Sequence, residues 1–191
     1  VLENVGVRNV NSEDGINIFN SNFKLKKLYF FNNLSDGIDF DFSQGSLEDL
    51  SLKDIGNDGI DFSGSDAIIK NIQLENIGDK LVSVGENSKI SISGIYANDS
   101  YVGIASKDGS LVYADNVQFQ NVKIPFATYN KKKEYDIPSM FIKDSQNNSF
   151  NNSIKDNSGI LKLNQEVFGQ VIKEIIPVIY RKDFKLLKDV L

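Results

Sequence analysis

The chain has no cysteine and no histidine among its 191 residues. Without cysteine there are no disulfides and no thiolate metal sites, and without histidine the commonest catalytic base and the usual zinc ligand are missing. No run approaches the roughly 18 apolar residues of a membrane-spanning helix. The opening Val1-Leu2-Glu3-Asn4 lacks the basic and then apolar regions of a signal peptide. Positive charge is in short supply too: the net charge is -5 and the isoelectric point near 4.8, which disfavours a nucleic acid partner and leaves room for cations or glycans. The basic run Lys131-Lys132-Lys133 is short and local and reads as a solvated turn.

What the chain does have is 40% hydrophobic residues, enough for one continuous core, and these residues recur. The pattern apolar-x2-apolar-x-apolar appears as Leu2, Val5, Val7; Leu25, Leu28, Phe30; Leu47, Leu50, Leu52; Ile69, Ile72, Leu74; Ile92, Ile95, Ala97; and Ala114, Val117, Phe119, at steps of 22 or 23. A second ladder, Ile16, Ile38, Ile60, Val82, Ile104 and Phe126, keeps a constant step of 22. The first pattern alone also suits a leucine-rich repeat. The second half of each unit decides, because Asp36-Gly37-Ile38-Asp39-Phe40-Asp41-Phe42 and Asp58-Gly59-Ile60-Asp61-Phe62-Ser63 alternate with the period of a half-buried strand. The expected fold is all-β: a right-handed parallel β-helix of about six coils over residues 1–130, then a last partial coil, a polar loop and a C-terminal capping tail over 131–191. Within that tail, Ile160, Leu161 and Leu163 suggest one more strand, Asn147 to Ser153 a polar turn, and residues 165–190 an end cap interrupted by Pro177. Because the repeat is already under way at Leu2, the chain is expected to continue a longer one upstream, where any targeting signal would lie.

Alternation places Ile38, Phe40 and Phe42 inward, with Asp39 and Asp41 outward and Asp61, Ser63, Ser83 and Gly85 in the same columns. Asp14, Asp36 and Asp58 form a further column, with Asp79 one residue short of its register. Neighbouring coils lie roughly 4.8 Å apart, so these carboxylates repel and need an offset. Turn amides, a lysine such as Lys80, or a bound cation would each supply one. Calcium fits an all-oxygen set of Asp36, Asp39, Asp58 and Asp61; the simpler reading is that Asp-Gly is turn chemistry. Further along the same surface Glu86, Lys107, Asp108, Tyr129 and Lys131 recur near the 22-residue step. They suggest either an inter-coil charge network or a ligand groove, with Tyr101 and Tyr129 available for sugar stacking.

Over residues 1–130 the pattern resembles the pectate-lyase-like superfamily of right-handed β-helices. More narrowly, Ser35-Asp36-Gly37-Ile38-Asp39-Phe40-Asp41-Phe42, Gly56-Asn57-Asp58-Gly59-Ile60-Asp61-Phe62-Ser63, Gly78-Asp79-Lys80, Val84-Gly85-Glu86-Asn87-Ser88 and Gly103-Ile104-Ala105-Ser106-Lys107-Asp108 are similar to the β-helix region of bacterial spore-coat-kinase-like proteins. That resemblance implies an accessory or scaffold module of a larger secreted or envelope protein, facing a polysaccharide or cell-surface glycan. The broader one implies a rival, a polysaccharide-degrading enzyme of the polygalacturonase kind, in which Asp36, Asp58 and Asp79 would be acid, base and water-positioning groups and Lys80 or Lys107 would hold substrate carboxylates. An inverting pair of that kind stands roughly 6.5–9.5 Å apart. The enzyme pattern is broken where Asn57 replaces one of its paired aspartates and where Gly78-Asp79-Lys80 stands near the place of its histidine motif. For a lyase, a lysine base would need a lowered pKa, and neighbouring carboxylates push it upward. A third reading is a pure spacer.

Overall fold

A unit of 22 residues carries too few apolar side chains to close a core alone, and its period-two segments need partners for their backbone groups. Stacking meets both needs. The computed structural model, which describes residues 1–147, 154–155 and 159–163, is a parallel β-solenoid of about seven turns, with no helix among the described residues. One sheet stacks β1 (Leu2–Val10), β3 (Asn22–Asn33), β5 (Gln44–Ile55), β7 (Asp66–Gly85), β8 (Lys89–Lys107), β9 (Leu111–Tyr129), β10 (Ser139–Ile142) and β13 (Ile160–Leu163). Another face stacks β2 (Asp14–Phe19), β4 (Asp36–Asp41) and β6 (Ile60–Ser63) onto the second half of β7. Short β11 (Ser145–Asn147) and β12 (Ile154–Lys155) pair with β9. No helix among the described residues is long and apolar enough to cross a membrane.

Both sequence ladders are rungs of this core. Leu2, Leu25, Leu47, Ile69, Ile92 and Ala114 pair in succession, and so do Ile16, Ile38, Ile60, Val82, Ile104 and Phe126. Between the sheets the Phe40 and Phe62 rings stack at 4.8 Å, with Phe23 against Phe40 at 4.4 Å.

Each coil turns at residues in the left-handed backbone region, where asparagine and aspartate are tolerated best. Asn4, Lys27, Asp49, Asn71, Gly94 and Asn116 make one bend, and Asn9, Asn32, Asp54, Asn76, Asp99 and Asn121 the next, all with φ between 52° and 80°. Their side chains bond from coil to coil, as where the Asn76 amide donates to Asp54 Oδ1 at 2.7 Å. A third corner is held by a hydroxyl ladder. The backbone N–H groups of Ser21, Ser43 and Ser65 donate to the hydroxyls of Ser43, Ser65 and Ser88 at 2.9–3.0 Å.

Two expectations are corrected. Phe42 does not point inward: it is 59% exposed at φ +50°, with its ring edge-on to Phe19. Alternation ends at Asp41, because the next residue is the left-handed corner that Asn20 and Gly64 form in the neighbouring coils. The other is the step: the partial coil expected after residue 130 is there, but not at the 22-residue spacing. Ser139–Ile142 pair with Leu111–Ala114, a step of 28 rather than 22, because the turn after Tyr129 is longer. The strand expected at Ile160, Leu161 and Leu163 is β13, paired with β10. Asn147 ends β11, whereas the rest of the expected polar turn (148–153) and the expected cap at 165–190 lie outside the described residues.

Candidate functional site

The face formed by β2, β4, β6 and the following part of β7 carries the acidic columns, aligned as the repeat requires: Asp14 beside Asp36, and Asn17, Asp39, Asp61 and Ser83 in one line. Each carboxylate has its own partners. Asp36 Oδ1 accepts from the backbone N–H of Asp58 at 2.8 Å and from the Asn57 amide at 2.6 Å. One coil on, Asp58 Oδ1 accepts from the Lys80 N–H at 3.0 Å, so the Asp-Gly corners cap one another. Asp39 Oδ2 accepts from the Asn17 amide at 2.8 Å, with Asp41 3.4 Å from the same nitrogen. Among the described residues no three acidic groups gather around a point that would hold a metal ion.

Asp39 is the most perturbed of these groups. Burial, reinforced by the like charges of Asp41, Asp61, Asp14 and Asp36, pushes its carboxyl up to about 7. Burial also raises Asp36, against the pull of its hydrogen bonds from Asp58 and Asn57.

Asp58, only 4% exposed, is matched instead by Lys80, whose Nζ lies 3.1 and 3.3 Å from its carboxylate oxygens and also bonds Asp79. Burial opposes the Lys80 charge, but the hydrogen bonds to Asp79 and Asp58 outweigh it and hold the ammonium above the ordinary lysine range. Burial raises Asp58 while Lys80 draws it down. Lys107 donates to the buried Ser83 hydroxyl at 2.7 Å and lies 3.9 Å from Asp61. Glu86 bonds Lys132, and the buried Asp108 Oδ1 accepts from the backbone N–H groups of Lys131 and Lys132 at 2.6 and 2.7 Å.

The structure thus links Asp36, Asp58, Asp79 and Lys80 through one another and the backbone, while Lys107 is held apart from them by Ser83 and Asp61. Lys131 lies in the long turn after Tyr129, which Asp108 and Glu86 hold from the corners after β8 and β7. Tyr129 is half-buried, while the exposed Tyr101 ring lies under the Lys123 ammonium at 4.7 Å.

A second face went unnoticed in a reading guided by charge. The x position between the last two apolar residues of each repeat points outward, forming a column of Tyr29, Ser51, Gln73, Tyr96 and Gln118. Tyr29 is 54% and Tyr96 45% exposed. That position in the repeat is the signal that would have found it. Comparison with family models, with curated proteins and with solved structures finds no match to this chain.

Proposed function

We propose that the chain is an accessory or scaffold module of a larger surface or secreted protein, a β-helix of the pectate-lyase-like type, which holds a glycan without cleaving it. The supporting observation is the Lys80 ion pair with Asp58 and Asp79. A hydrolase needs a carboxyl poised to give up a proton and a lyase a lysine able to take one. Here the buried Asp58 carboxylate and its lysine neutralise each other, and the lysine is held charged. The similarity to spore-coat-kinase-like β-helix regions points to the same accessory role.

Incubation with polygalacturonate and with neutral polysaccharides tests this reading. Expected are retention of the protein in glycan affinity electrophoresis and no new reducing or unsaturated ends, with or without calcium. Turnover abolished by Asp58→Asn would establish the enzyme instead. Calcium is tested on the same protein. Because no acidic trio is gathered among the described residues, millimolar calcium is expected to leave the thermal midpoint where a chelator leaves it. A rise lost in Asp58→Asn would assign the aspartates to a metal.

A further inference from the structure

The column Tyr29–Ser51–Gln73–Tyr96–Gln118 runs parallel to the solenoid axis, between the bend made by Asp49, Asn71 and Asn116 and the next column of outward residues. A groove of about 460 Å³ lies along one side of it, and a smaller one of about 180 Å³ along the other. None of the five column residues is charged. The nearest opposite charges on the second side, Lys53 and Glu75, are bonded to each other at 2.7 Å, and Asp49 on the first side accepts from the Asn71 amide. Tyr29 and Tyr96 are three coils apart, or about 14 Å at the usual strand spacing. Two exposed rings that far apart call for apolar surface above each, and the Ser51 hydroxyl and Gln73 amide between them, with the Gln118 amide beyond, call for hydrogen-bonding partners.

A ligand that answers all of this is linear, has a regular repeat along the axis, presents C–H faces to the rings and hydroxyls to the amides, and bears no charge. A peptide strand does not: it would need a sheet edge with free backbone groups, whereas this is a sheet face whose backbone groups pair between coils. We infer that the column is a binding cleft for an unbranched neutral polysaccharide lying along the solenoid from Tyr29 to Gln118, a reading that rests on the glycan-holding role proposed above. It places the glycan on a different face from the acidic columns, and it assigns chain direction to the axis and ring stacking to Tyr29 and Tyr96.

The chain has seven tyrosines and no tryptophan, so its intrinsic fluorescence reports directly on tyrosine. The test is a fluorescence and calorimetric titration of the whole chain with cellohexaose, mannohexaose and xylohexaose, and with an oligogalacturonate of matched length as the anionic comparator. Expected is saturable binding of at least one neutral chain, insensitive to added salt, weakened about tenfold in Tyr96→Ala and kept within about threefold in Tyr96→Phe, with the thermal midpoint unchanged in both variants. Tight neutral binding that survives Tyr29→Ala and Tyr96→Ala overturns the site. So does a preference for oligogalacturonate that is lost in Lys107→Ala, which would move the glycan to the charged face while leaving the holding role intact. Failure of the unaltered, folded protein to bind any of these chains or longer polysaccharides overturns the cleft and the glycan-holding role together.

Discussion

Asp39 shows how a single residue inherits its chemistry from the repeat. Stacking buries it, in line with Asp61 and beside Asp41, and burial together with those like charges raises its carboxyl to about 7 from the ordinary 3.8. The native state therefore binds more protons than the unfolded one across that interval, and stability falls as pH rises from about 4 to about 7. The thermal midpoint is expected to be higher at pH 5 than at pH 8 by several degrees. Asp39→Asn should raise the pH 8 value and flatten the profile; an unchanged profile in that variant would mean the carboxylates are well solvated. Phe42 is the converse case, a bulky side chain in a backbone region that disfavours it, with its ring against solvent. Phe42→Asn is expected to raise stability by up to about 1 kcal/mol in urea unfolding, since asparagine tolerates this backbone region far better.

At the scale of the strand pair, Lys80 and Asp58 are a case where one partner alone is worse than neither. The side chains are 14% and 6% exposed, so solvent screens the pair little. Lys80→Ala strands a buried carboxylate and is expected to cost about 3 kcal/mol, measured as a lower urea midpoint, whereas Lys80→Met with Asp58→Asn should recover most of it. Close stacking sets a second demand. A Cβ on Gly56 would stand 2.0 Å from the Leu34 carbonyl oxygen of the preceding coil, and one on Gly78 2.1 Å from that of Gly56. Gly56→Ala must push coils apart, at a cost of about 2 kcal/mol. The aspartate columns were legible because a constant step carries register from coil to coil. Lys80, one step of 22 after Asp58, was legible as its in-register partner; what stayed hidden was that its ammonium also bonds the neighbouring Asp79. A period fixes which residues stack, not how far a long side chain reaches sideways, and the slip in the pairing of β7 with β8 between Ile77 and Lys80 lies one coil further on. The tyrosine column was equally present in the period, but only its exposure sets it apart from the other uncharged outward positions.

Across the whole molecule the core was readable residue by residue, since inward rungs have no alternative once the step is known. Corners were less so: left-handed turns interrupt alternation, and the longer turn after Tyr129 hides the seventh rung. That turn also separates two kinds of corner. The bends at the asparagine and aspartate rims fall five residues apart in every coil from Asn4 to Asn121, so any change of length between them would throw side chains out of the core. The serine corner is different. It is crossed by two residues between β4 and β5, by three between β7 and β8, and by nine between β9 and β10, while the rungs on either side stay paired. One edge of the solenoid thus works as a seam where chain can be let in without disturbing the fabric, and a loop or whole domain added there would emerge beside the acidic face and leave the tyrosine column uncovered.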